Sequence, residues 1–92
     1  MEAVSQHAQT RLQQRSIPPA VLDLLNEFGA VTRSHGAERI FFDKAARKRL
    51  EAFVGGKKGL RPYERYLNVY VVVADDGLLI TAGHRTRRFK RH

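Results

Sequence analysis

The chain has 92 residues, 42% of them hydrophobic, and its 17 Lys and Arg against nine Asp and Glu give a net charge of +8. That length suits a single domain, residues 1–92, with a thin core; the lack of cysteine excludes disulfide scaffolds and thiolate zinc sites. No apolar run approaches the roughly 20 residues of a membrane span, and the first residues lack the blocks of a signal peptide, so a cytoplasmic protein without a membrane partner is expected.

The basic excess is uneven. Arg85, Arg87, Arg88, Lys90 and Arg91 crowd the tail 84–92, and further clusters span Lys44 to Arg49 and Lys57 to Arg65. Arginine outnumbers lysine twelve to five. A planar guanidinium pairs with phosphate at two points, so this balance predicts RNA or another polyanion as partner.

In chain order, Ser5 is a candidate N-cap for a helix reaching about Arg15, on which Ala8 and Leu12 share a face and His7, Arg11 and Arg15 form an adjacent polar stripe. Ser16-Ile17-Pro18-Pro19 ends that helix and begins a second, whose Val21, Leu24, Leu25 and Phe28 recur at core-helix spacing up to Gly29. Ala30 to Ser34 and Glu38 to Asp43 read as short strands joined across His35-Gly36-Ala37. Asp43 can cap a third helix, Lys44 to Val54, with Ala46, Leu50, Phe53 and Val54 as its apolar stripe; Lys57 to Glu64 reads as a basic loop. Tyr66 to Ala74 is a strand expected to be covered on both faces, and Asp75-Asp76-Gly77 turns it into a partner, Leu78 to Gly83. Val72, Ile80, Leu25 and Leu50 are expected to be buried together.

Three features point to chemistry. His7, Arg11 and Arg15 can present an imidazole and two guanidiniums to one phosphate, or simply form a solvated helix face. Thr81-Ala82-Gly83-His84-Arg85 closes a core strand; alternation puts Thr81 and Gly83 on one face, with Arg85 on it too if the strand continues, and Gly83 leaves room for a ligand near the backbone. In the tail, Phe89 among Arg87, Arg88, Lys90 and Arg91 can stack on an unpaired base while the cations hold phosphates, or fold back onto the core. Metal chemistry has little support, because no histidine pair has ligand spacing, and Gly55-Gly56-Lys57-Lys58-Gly59 follows a helix where a phosphate-cradling loop follows a strand.

The segment His7-Ala8-x-x-Arg11, with Arg15 and Ile17, resembles the start of a domain family of unknown function, His-Ala-x-x-Arg-x-x-x-Arg-x-Ile, whose members look like compact relatives of the barnase, EndoU, colicin and RelE ribonuclease folds. The closing segment Val69 to Arg85 is similar to the last two strands of RelE-type toxins, which often run into Gly-His-Arg and a basic or aromatic tail. Together the matches cover about half of the chain. The resemblance implies an α+β fold with N-terminal helices on a small twisted antiparallel sheet, RelE-like. It also implies metal-free RNA cleavage, without a cofactor, and often a neutralising antitoxin. Carried over by position are His7, Arg11 and Arg15 in the helix and Thr81, His84 and Arg85 at the strand end. Arg88 and Phe89 stand near where many RelE-type toxins have a catalytic tyrosine, a departure that weighs against a ribosome-dependent reaction, although the ribosome stays among the candidate partners.

The expected function is therefore a metal-independent, toxin-type endoribonuclease using the 2′-hydroxyl as internal nucleophile. His84 or His7 would serve as acid and base, and Arg11, Arg15 and Arg85 as phosphate clamps. The alternative is a binding module for RNA or DNA that does not cut.

Overall fold

A computed structural model describes residues 3–85. The elements in chain order are β1 (Ala3–Val4), α1 (Gln6–Gln14), α2 (Pro19–Phe28), β2 (Ala30–Ser34), β3 (Ala37–Phe41), α3 (Lys44–Phe53), α4 (Lys57–Leu60), a 3-10 helix (Arg61–Tyr66), β4 (Val69–Ala74) and β5 (Leu78–His84). The fold is α+β, and no helix among the described residues is long and apolar enough to cross a membrane.

Local chemistry explains most boundaries. The Ser5 hydroxyl accepts from the Ala8 N–H and the Asp43 carboxylate from the Ala46 N–H, so both expected caps close the first turns of α1 and α3. Prolines 18 and 19 start α2. Gly29 ends it by close packing: an added Cβ would lie 2.5 Å from the Leu25 carbonyl oxygen and 2.6 Å from Ile40 Cγ2. The β2–β3 hairpin turns on His35 and Gly36, both with positive φ.

The sheet has the order β1-β5-β4-β3-β2. Four strands are antiparallel, while β1 pairs in parallel with β5, so the sheet is mixed where an antiparallel one was expected. The helices also depart from a purely N-terminal set, because α3, α4 and the 3-10 helix follow β3. Lys57 to Tyr66, expected as loop and strand start, is helical, and β4 begins only at Val69.

One core lies on one side of the sheet. Ala8, Val21, Leu25, Ala46 and Leu50 of the helices pack with Ile40, Val69, Val71, Val73, Leu79 and Ala82 of the strands. Phe53 is not part of it: at 67% exposure it lies against Phe28, with ring centroids 4.9 Å apart.

A register shift between Val72 and Val73 decides which β5 residues join the core. Val73 pairs with Leu79 but Val72 pairs with Thr81, which makes Ile80 an extra, bulged residue. Leu79 and Ala82 therefore face the helices, three positions apart, and Ile80 is exposed. The expectation that Ile80 and Val72 join Leu25 and Leu50 in the core fails for that reason. Val72 is half-buried on the opposite face, where no helix among the described residues covers β4.

Candidate nucleic-acid interface

The second face of the sheet carries no helix among the described residues. Strand register sets its content in rows. One row runs Ala30, Phe41, Tyr70, Gly83; the next runs Thr32, Arg39, Val72, Thr81. Hydroxyls, small side chains, a phenol and a guanidinium thus line this surface together with Phe41 and Val72, while Ile40, Val71, Val73, Leu79 and Ala82 on the opposite side belong to the core.

Tyr70 and Gly83 form the centre of the arrangement. A Cβ built on Gly83 would sit 3.2 Å from both Cε1 and the hydroxyl oxygen of Tyr70, so the glycine makes room for the phenol ring of the neighbouring strand. This gives the glycine a different task from admitting a ligand to the backbone. On β5 the same-face neighbours of Gly83 are Thr81 and Arg85, which brackets the phenol with a hydroxyl and a guanidinium along one strand.

Arg85 continues the ladder, its N–H donating to the Asn68 carbonyl at 2.8 Å. Its guanidinium crosses the Phe41 ring, 5.2 Å from the centroid, and donates through Nη2 to the Phe42 carbonyl at 2.7 Å. Phe41 is buried although it stands outside the helix-side core. Arg85 therefore ties the end of β5 to the β3–α3 junction while carrying positive charge on the face away from the helices. Arg47 reaches the same Phe42 carbonyl from α3 at 3.4 Å and also holds the Leu67 carbonyl and the Asn68 side chain. Arg49 caps the end of α2 through the Phe28 carbonyl. Two arginines of the Lys44 to Arg49 cluster are thus engaged in holding the fold.

The remaining expected site residues separate by face. His7 is exposed on the first turn of α1, Arg11 is half-buried, and Arg15 stands exposed at the C-cap. Helix α1 begins at the β5 backbone, where the Ser5 N–H donates to the Leu79 carbonyl at 2.9 Å, and packs on the helix side. His84 pairs with Val69, whose side chain faces the core, so the imidazole projects to the helix side, exposed at the strand end. Thr81 and Arg85 lie on the other side. The sheet thus groups His7, Arg11 and His84 apart from Thr81 and Arg85. Arg87, Arg88, Phe89, Lys90 and Arg91 lie outside the described residues.

Sequence reasoning passed over Tyr70, Arg39 and Thr32. For Tyr70 a signal existed: it stands at the opposite parity from Val69, Val71 and Val73 in an otherwise aliphatic strand. No family model matches the sequence, and searches of curated proteins and of solved structures find no match either.

Proposed function

We propose that the protein acts on RNA, holding the phosphate backbone of a single strand along the sheet face away from the helices and cleaving it without metal as a toxin-type endoribonuclease. The observation that carries the reading is the grouping of Thr81, the Tyr70 hydroxyl and Arg85 on a face free of described helices, with Arg39 in the same row as Thr81, in a chain of net charge +8. Guanidiniums match phosphate geometry, and tyrosine offers a ring for stacking together with a hydroxyl that donates and accepts.

In the proposed reaction a ribose 2′-hydroxyl attacks the adjacent phosphorus. Its proton passes to a base, the bond to the 5′-oxygen breaks, that oxygen receives a proton from an acid, and a 2′,3′-cyclic phosphate remains. Arg85 and Arg39 would stabilise the added negative charge in the transition state. The acid and base roles would fall to Tyr70 and His84; because these project to opposite sides of the sheet, the scissile phosphate would sit at the exposed end of β5, where one phosphate can be approached from both.

Incubating a labelled RNA with the protein in excess chelator tests this. Cleavage should persist, stop when the scissile ribose is 2′-deoxy, and fall about 100-fold or more in His84→Ala or Tyr70→Phe. Chelator-sensitive cleavage, or cutting of the 2′-deoxy substrate, would overturn the mechanism.

A second reading, binding of RNA or DNA without cleavage, is favoured by one observation: the alternation of β5 sends the His84 imidazole and the Arg85 guanidinium to opposite sides of the sheet. Under it, RNA stays intact while affinity remains steeply salt-dependent.

A further inference from the structure

Between the end of α1, the α1–α2 connection and the last residue of the 3-10 helix lies an open groove of about 580 Å³, lined in part by Gln9, Leu12, Gln13, Ile17, Pro18 and Tyr66. We infer that this groove receives one splayed base of a single-stranded RNA and prefers adenine, an inference that rests on RNA being the ligand.

Three observations converge on it. Gln9 and Gln13 are both exposed and one helical turn apart, so two residues bearing primary amides line the groove from one face of α1. Each amide offers a donor beside an acceptor, the complement of the adenine N6 and N7 edge. Leu12, Ile17, Pro18 and the half-buried Tyr66 ring supply apolar walls, and the volume falls within the 300–1,000 Å³ typical of small-molecule sites.

Charge favours a nucleotide over a neutral occupant. The Arg65 guanidinium lies 5.9 Å from the Tyr66 ring centroid, and Lys57, Lys58 and Arg61 precede it on the same helical segment. Of these, Arg65 lies beside the groove wall and fits a phosphate that flanks an unstacked base. The location agrees as well. Tyr66 stands two residues before Asn68, whose carbonyl accepts from the Arg85 N–H, so a short stretch of chain joins this wall of the groove to the end of β5. A strand lying on the sheet face away from the helices can turn one base over the sheet edge into the groove, as single-stranded recognition generally turns bases out against aromatic rings.

Binding of fluorescent hexamers of adenylate and of uridylate, measured by anisotropy under chelator with 2′-O-methyl sugars to prevent cleavage, tests the inference. Oligoadenylate should bind about 10-fold tighter or more, the scale of one bidentate base contact. The Gln9→Ala/Gln13→Ala variant should lose that preference and keep its affinity for oligouridylate. Because the chain has no tryptophan, Tyr66→Trp adds a lone reporter, whose emission oligoadenylate should quench. Equal affinity for both hexamers, or an undiminished preference in the double variant, would overturn the base site and leave the RNA reading standing. Failure of both hexamers to bind would remove the two together.

Discussion

Gly83 and Tyr70 show how one position without a side chain can set a surface. The phenol of Tyr70 rests where a Gly83 Cβ would project, so a branched residue there must push the ring off the face. Gly83→Val should cost about 1–3 kcal/mol in urea unfolding, the scale of an overpacked contact, and should weaken RNA binding by displacing Tyr70. Gly29 has the same logic against backbone in place of a mobile ring. With the Leu25 carbonyl 2.5 Å from the added Cβ, Gly29→Ala should destabilise by a similar amount, about 1–3 kcal/mol, with no effect on RNA contacts. If Gly29→Ala unfolds at the wild-type urea midpoint, the packing of α2 on β3 described above is wrong. Arg85 combines two tasks at one residue. Arg85→Lys keeps the charge but not the planar fork that spans the Phe41 ring and the Phe42 carbonyl, so both stability and RNA affinity should drop.

At the scale of elements, α3 carries the clearest test of the core. Leu50 is fully buried among residues from α2 and the sheet, and Leu50→Ala should cost about 2–5 kcal/mol, enough to unfold much of so small a domain at 37 °C. Phe53→Ala, on the same helix but 67% exposed, should cost far less. These helices were legible because their signals are local: Ser5 and Asp43 caps, prolines 18 and 19, and the spacing of Val21, Leu25, Ala46 and Leu50. The β2–β3 and β4–β5 hairpins were legible for the same reason, from His35-Gly36 and Asp75-Asp76-Gly77. What escaped depends on distant partners. β1 is two residues long and exists only by pairing with Leu78 and Leu79 at the far end of the chain. The bulge at Ile80 leaves no local mark in an apolar Leu78-Leu79-Ile80 run, yet it moves Thr81, Gly83 and Arg85 from the core face to the open one. Their shared face could be read from alternation, but neither which face it is nor that Tyr70 would join them could.

At the scale of the molecule, the fold divides its labour between two sheet faces: helices and the aliphatic core on one, Thr32, Arg39, Tyr70, Thr81 and Arg85 on the other. With a net charge of +8, affinity for a single-stranded oligonucleotide should fall with salt by about 0.7 log unit per log unit for each phosphate neutralised. A flat salt response would leave the charge as a solubility feature. An RNA-binding sheet face is tested by titrating ¹⁵N-labelled protein with a single-stranded RNA whose 2′-hydroxyls are all methylated, which removes the internal nucleophile, and following the amide shifts. The backbone amides of Thr32, Arg39, Tyr70, Val72, Thr81 and Gly83 should move together and saturate with one affinity, while Val21, Leu25 and Ala46 stay fixed. Shifts confined to α2 and α3, or none on β3, β4 and β5, would contradict an RNA-binding sheet face.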